Sequence, residues 1–437
     1  MSTAMSDATT PPRGDLFRYV SLDLDASSVR ATYELDDRCF VESVVFEGAG
    51  RLDTPAVRAV AELWFLLAGL SYYKAGAARR VDVADLSLGS AGRRLLEAAL
   101  HEGLGEFSYR NNLSLDDVTI SGGVEVVATA LTLDPERVLV PFGGGIDSVV
   151  TTAMLAAHLD QTLFIVSPPS GTFAPLEATA AATGLPIVRA TRSLDPQLLN
   201  HDGSFFNGHV PITAMITLLA AMAAVASGRG GVVMSNEHSA SAANLRWGGL
   251  EVNHQWSKSF AAELLISEAL AERLGDELVV ASSLRDRSEV WVAQAFSELP
   301  QYHHVFRSCN RAFAHDRDRR LETWCGECDK CLFINLMLAP FLSRSELVDI
   351  FHHEPLSDEN LREQLRVLVG VGVDAKPFEC VGDPDESAAA LARVSALTEW
   401  RDQAGLAELA RESTPARSFD ELLEREGPSR VPAHWLR

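Results

Sequence analysis

Hydrophobic positions divide the chain into three stretches of different period. From Phe17 to Glu47 apolar and polar residues alternate in short runs, Tyr19-Val20-Ser21-Leu22, Val29-Arg30-Ala31-Thr32-Tyr33 and Val44-Val45-Phe46, with a turn at Asp36-Asp37. A period of two predicts strands, so a small antiparallel sheet is expected here. Two helical stretches follow. Thr54 is placed to cap the first, with Pro55 at its opening position and Trp64 and Leu67 further along; Ser90 is placed to cap the second, which runs through Leu95, Leu96 and Leu100.

From Arg137 to about Ala281 short β-forming runs alternate with helical segments. Strands are expected at Val138–Val140, Leu163–Val166, Ile187–Arg189, Val232–Met234 and Leu278–Val280, and helices near Ser148–Leu159, Leu176–Thr183, Ile212–Ser227 and Ser259–Arg273. This alternation predicts an α/β fold with a doubly wound parallel sheet. Ligands of such sheets bind beyond the carboxyl ends of the strands, which singles out Phe142–Ser148, Ser167–Thr172, Ala190–Ser193 and the long stretch after Met234. The run Val210 to Ala226 approaches membrane-span length, but it carries Thr213 and Thr217 and is rich in Ala, so it reads as a core helix.

The last third, Ser282 to Arg437, opens on a cysteine cluster and continues as acidic, mostly helical sequence: Leu332–Leu342, Glu346–Phe351, Glu359–Val369 and Glu386–Leu397. The expected organisation is a disordered leader (1–15), an α+β unit that scaffolds or covers substrate (16–134), a ligand-binding α/β domain (135–300), a cysteine-bearing knuckle and helix (301–345) and a helical C-terminal region (346–437). No repeat appears at solenoid periods.

Composition narrows the function. The net charge is −22 and the pI about 4.9, which disfavours a nucleic-acid partner. Six cysteines in 437 residues, four of them clustered, do not make a disulfide framework. Met1 to Asp15 is polar and lacks the basic start and apolar core of a signal peptide, so a cytoplasmic protein without a membrane partner is expected. Positive charge is nearly all arginine. Lys74, Lys258, Lys330 and Lys376 are the only lysines, and in such a chain a Lys inside a motif suggests that a compact ammonium is wanted there.

Chemistry concentrates in three places. Val138-Leu139-Val140-Pro141-Phe142 stops at Gly143, Gly144 and Gly145, and helical sequence begins behind Asp147 and Ser148. A strand ending in a glycine turn that opens a helix offers free N–H groups and the positive end of the helix dipole to an anion. The spacing is neither the dinucleotide Gly-x-Gly-x-x-Gly nor the Walker loop. It resembles the Ser-Gly-Gly-x-Asp-Ser loop of the PP-loop ATP pyrophosphatases, which cleave ATP between the α and β phosphates, with Gly143 in place of the usual Ser. After the fourth strand come Ser235-Asn236-Glu237-His238-Ser239 and Glu251-Val252-Asn253-His254-Gln255-Trp256-Ser257-Lys258-Ser259. Glu237, His238 and His254 are of types that move protons near neutral pH, and Lys258 offers a localised positive charge. Third, Cys309 precedes Cys325-Gly326-Glu327-Cys328-Asp329-Lys330-Cys331. Four thiolates with two-residue gaps suit a structural Zn²⁺, and the same run fits an iron–sulfur cluster or a redox dithiol. Arg189, Arg192, Arg246, Arg285 and Arg287 are possible countercharges for substrate anions. Cys39 and Cys380 stand alone and read as ordinary core residues.

In this order, residues 141–148, 235–239, 251–259 and 324–331 resemble the UDP-N-acetylmuramoyl-L-alanyl-L-glutamate epimerases of the MurL type, over roughly residues 17 to 345. A similar cysteine run binds zinc in the related 7-cyano-7-deazaguanine synthases. The resemblance implies a PP-loop (HUP-like) fold and ATP- and Mg²⁺-dependent inversion of the terminal L-Glu of UDP-MurNAc-L-Ala-L-Glu through an acyl-adenylate, with AMP and pyrophosphate released. It implies that Gly143, Gly144, Gly145, Asp147 and Ser148 meet the ATP phosphates. Catalytic work falls to Glu237, His238, His254 and Lys258, and zinc to Cys309, Cys325, Cys328 and Cys331. Another adenylating enzyme on this fold, amide-forming or sulfur-transferring, and a non-catalytic nucleotide-binding module remain alternatives.

Overall fold

A computed structural model describes residues 11–199, 203–312, 320–321, 323–372 and 376–436. The strands are β1 (Leu16–Leu24), β2 (Ser28–Leu35), β3 (Arg38–Glu47), β4 (Arg80–Asp82), β5 (Thr119–Ser121), β6 (Asp134–Pro141), β7 (Asp160–Ser167), β8 (Ile187–Ser193), β9 (Arg229–Met234), β10 (Leu245–Trp247), β11 (Leu250–Val252) and β12 (Val279–Ser282). Ten of them form one sheet in the order β12-β9-β6-β7-β8-β3-β2-β1-β4-β5, and β10 and β11 make a separate hairpin. The block β12-β9-β6-β7-β8 is parallel. The antiparallel block β3-β2-β1 joins it through β8, where Ser43–Glu47 run against Arg189–Ser193.

The sheet is therefore mixed and continuous, whereas two separate sheets were expected. Pairing covers the edge that β8 would otherwise present to solvent. It also overturns one expectation: Ala190–Ser193 is not a ligand loop but the end of a paired strand. Arg189 and Arg192 on this strand already have carboxylate partners. Arg189 makes a two-point ion pair with Glu177 (2.7 Å each), and Arg192 reaches the fully buried Glu42 at 2.5 Å.

Two cores cover the two faces. On one, Pro55–Ala68, Ile212–Ala226 and Phe260–Leu274 pack with Trp64, Leu218, Met222 and Leu270 buried. On the other, Ile146–Leu155, Glu289–Ser297, Asp329–Leu338 and Pro384–Ala396 bury Val149, Val290, Leu332 and Leu391. The helix Ile212–Ala226 is buried on nearly every side, as its uniform apolarity requires. Among the described residues no helix is long and apolar enough to cross a membrane.

Thr54 caps its helix by accepting from Val57 N, with Pro55 in the first turn. Ser90 does not cap: the helix starts at Gly89, and Glu272 from a distant helix accepts from Ser90 N and Oγ and from Ala91 N. A carboxylate there complements the helix dipole better than a hydroxyl. Residues 1–10 of the expected leader lie outside the described residues. Beyond them Arg13 pairs with Asp117 at 2.8 Å and Gly14 N donates to Gly76 O.

Within the parallel block β6 has β7 on one side and β9 on the other, so successive crossovers leave it in opposite directions. Loops diverge at such a switch point and leave a crevice at the strands' carboxyl ends.

Candidate active site

A cavity of about 410 Å³ opens at that crevice. Phe142, Gly143 and Gly145 line it from the loop after β6, Asp147 and Ser148 from the helix behind, and Ser235 and Asn236 from the loop after β9. Gly144 has φ +74°, and a Cβ there would stand 3.1 Å from Leu176, so only glycine fits comfortably. A Cβ on Gly145 would meet Ser308 Oγ at 2.7 Å, whereas one on Gly143 would meet open space. The helix Ile146–Leu155 begins at Gly145 without a capping side chain, which leaves first-turn N–H groups for a ligand.

Behind this cradle lies a buried charge cluster. Asp147 Oδ1 and Glu289 Oε2 are buried with no hydrogen-bond partner. Burial, reinforced by the nearby Glu237, pushes Asp147 up to about 6 and Glu289 well above the usual carboxylate range. Lys258 and Lys330 pull both in the opposite direction. Burial disfavours the Lys258 ammonium, but Cys380, Glu237 and Asp147 hold it protonated, above the ordinary lysine range. Unpartnered hard oxygen donors close to the glycine turn have the chemistry that Mg²⁺ takes.

Arg285 ties the two central loops together. Its guanidinium donates to Glu237 O (3.0 Å) and Lys258 O (2.7 Å) while pairing with the buried Glu263 at 2.9 Å. Arg285 thus positions the site rather than meeting a substrate anion. Arg246 pairs with Glu251 at 2.5 Å on the exposed hairpin, and Arg287 lies over the Trp291 ring.

The sulfurs of Cys309, Cys325, Cys328 and Cys331 all lie within 4.8 Å of one another. The Cys328–Cys331 and Cys325–Cys331 separations are 3.4 and 3.6 Å, near the ~3.8 Å edge of a tetrahedron with ~2.3 Å metal–sulfur bonds. This donor set fits a four-coordinate soft metal. Cys328 is the N-cap residue and Cys331 lies in the first turn of the helix Asp329–Leu338, which carries Lys330 to the cavity.

Residues 8–282 match the MurL N-terminal domain family and residues 305–422 the MurL C-terminal domain family. The chain belongs to the MurL family. It is 39% identical over 406 residues to a UDP-N-acetyl-alpha-D-muramoyl-L-alanyl-L-glutamate epimerase of Micromonospora sp. (89% of each chain). It is 36% identical over 440 residues to the enzyme of that name from Xanthomonas oryzae pv. oryzae (96% of each). A third relative of the same name, from Salinispora tropica, is 40% identical over 354 residues, 78% of this chain and 74% of that one. This MurL chain is accordingly an isomerase.

Of the residues singled out in the sequence, Gly143, Gly145, Asp147, Ser148 and Lys258 line the cavity, whereas Gly144, Glu237, His238 and His254 are not among its lining residues. Glu237, buried, shares the field of Asp147 and Lys258. His238 is turned away: its ring lies against Gly427, and its backbone N–H donates to Arg287 O. His254 faces Glu106, with Nδ1 2.5 Å from Oε2. Burial works against its positive charge, yet hydrogen bonds with Cys380 and Glu106 raise it to about 9. The His209 ring lies tilted against it with centroids 4.3 Å apart, and burial together with that neighbour lowers His209 to about 4.

Several participants were missed. Cys380, expected in the core, lines the cavity, while Cys39 is exposed. Glu106 comes from the N-terminal unit, and Glu289 and Lys376 from the last third. Lys376 Nζ is buried with no hydrogen-bond partner, in the field of Glu237 and Glu289. Lys258, Lys330 and Lys376 thus converge on one carboxylate cluster. The scarcity of lysine pointed to Lys258 and Lys330, which lie in motifs, and not to Lys376, which lies in none.

Proposed function

We propose that this chain inverts the terminal L-Glu of UDP-MurNAc-L-Ala-L-Glu to D-Glu in cytoplasmic peptidoglycan precursor synthesis, using ATP to convert the glutamate α-carboxylate into an acyl-adenylate. The observation that carries this reading is one cavity joining an uncapped, glycine-cradled helix N-terminus to the Lys258 and Lys330 ammonium groups and the buried Asp147 carboxylate. A free carboxylate makes the adjacent Cα–H hard to remove, because the new charge develops beside an existing one. As an acyl-adenylate the same carbonyl can accept that charge.

Backbone donors of Gly143, Gly144 and Gly145, with the Ser148 hydroxyl, receive the phosphates. Asp147 and Glu289 would hold Mg²⁺, which supplies countercharge to the triphosphate. The Lys258 ammonium neutralises the developing acyl phosphate. Glu237 works on one face of the stereocentre and the cluster around His254 on the other, each positioned donor or acceptor being worth about 10²–10⁴ in rate. The four-cysteine centre would hold a structural Zn²⁺ that keeps Lys330 in register.

The test is incubation with ATP, Mg²⁺ and the muramoyl dipeptide, then chiral analysis of the hydrolysed glutamate beside nucleotide chromatography. D-Glu appearing with AMP supports the reading. Unchanged L-Glu, or an amide product, removes it.

A further inference from the structure

We infer that the sulfur of Cys380 is the atom that takes the substrate Cα proton, with His254 and Glu106 acting through it as positioning residues. This rests on the acyl-adenylate reading above and names the group on one face of the stereocentre. A structural cysteine sits among apolar side chains, whereas Cys380 lines the cavity beside two lysines and a histidine. Its backbone is pinned from three directions. Lys330 Nζ donates to Cys380 O (2.5 Å), Gln255 Nε2 to Val381 O (3.1 Å) and Asn244 Nδ2 to Pro377 O (2.7 Å). Asn244 Oδ1 also accepts from His254 N at 2.7 Å, so one amide side chain sets both the thiol segment and the imidazole.

Glu106 Oε2 lies 2.5 Å from His254 Nδ1, and the imidazole and the Cys380 thiol favour each other's charged forms, as in a thiolate–imidazolium pair. Burial opposes the thiolate, yet Lys258, the His254 hydrogen bond and Lys330 bring Cys380 down to about 6. Asp147 faces the same group, and Glu106 and His209 lie behind the imidazole.

In the step, the thiolate electron pair forms S–H as the Cα–H bond breaks, and the Cα electron pair passes into the acyl carbonyl as an enolate. A protonated Glu237 gives its proton to the opposite face, and the carboxylate left behind takes a new proton from solvent. On hydrolysis of the acyl-adenylate the thiol gives its proton to solvent and regains the thiolate. No oxidant or reductant is needed.

The experiment compares wild type with Cys380→Ser and Cys380→Ala, reading substrate-dependent ATP–pyrophosphate exchange separately from deuterium entry at Cα and chiral inversion. The expected result is exchange within about threefold of wild type and inversion reduced by at least ~10²-fold in both variants. Inversion at the wild-type rate would overturn the assignment, as would loss of ATP–pyrophosphate exchange in step with inversion. If wild type itself shows no such exchange, it is the acyl-adenylate reading that fails. As a readout of positioning, iodoacetamide labelling mapped to Cys380 should have its midpoint near pH 6 in wild type. In His254→Gln it should move toward the ~8.5 of a free thiol. A midpoint unmoved by His254→Gln would remove the imidazole from the account.

Discussion

Asp147 offers a test in which stability and activity move in opposite directions. In the folded chain burial raises its carboxyl from 3.8 to about 6, a value that already includes the favourable pull of Lys330 and Lys258. The unfolded chain releases the proton more readily, so this carboxyl favours folding fully below pH 3.8 and stops doing so as pH rises through about 6. At pH 7.5 holding it ionised costs about 3 kcal/mol, at roughly 1.4 kcal/mol for each tenfold change in proton affinity. Asp147→Asn keeps the shape and discards the charge. With about 2 cal/mol/K of unfolding entropy per residue, the variant should melt about 3 °C above wild type, measured without nucleotide and in EDTA. At pH 4.5 the gain should shrink to about 1 kcal/mol. AMP formation should meanwhile fall by at least ~10²-fold, because a hard anionic ligand for Mg²⁺ has gone. A variant that melts at or below wild type at pH 7.5 would refute the idea that this carboxylate is held for function against its own desolvation.

Other residues give sharper single readouts. Gly143→Ser places its side chain in open space, so it should add a hydroxyl to the cradle and lower KM for ATP about 2–10-fold; a rise in KM would contradict that geometry. Arg285→Met leaves the buried Glu263 unpaired and frees two site loops, so urea denaturation should show a loss of about 3–5 kcal/mol, and an unchanged midpoint would show that the guanidinium is not holding them. Metal analysis should find about one zinc per chain, lost in Cys325→Ala together with thermal stability; iron with visible absorbance would replace zinc by a cluster.

Local signals were legible wherever the physics is local. The period-two alternation around Tyr19 and Val29, the apolar runs at Val138 and Val232 and the glycine turn before Asp147 each specify their own backbone, and the structure contains them. The pairing of β3 with β8 was not legible, because an antiparallel edge contact across some 145 residues leaves no mark in either strand's pattern. Arg192 misled for the same reason, its partner Glu42 being distant in sequence, and Arg189 because nothing in the pattern shows that Glu177, on the preceding helix, turns toward it. Cys380 was missed because its chemistry comes from its neighbours, His254, Lys258 and Lys330, and not from the few residues around it. Its own segment, Pro377-Phe378-Glu379-Cys380, reads as an unremarkable loop.

The most direct measurement of the central claim is deuterium uptake at the glutamate Cα in D₂O, with and without nucleotide. The account predicts that the dipeptide gains one deuterium only when ATP and Mg²⁺ are present, and that AMP accompanies it. Uptake of the label at the same rate without nucleotide, or ATP emerging as ADP, would contradict it.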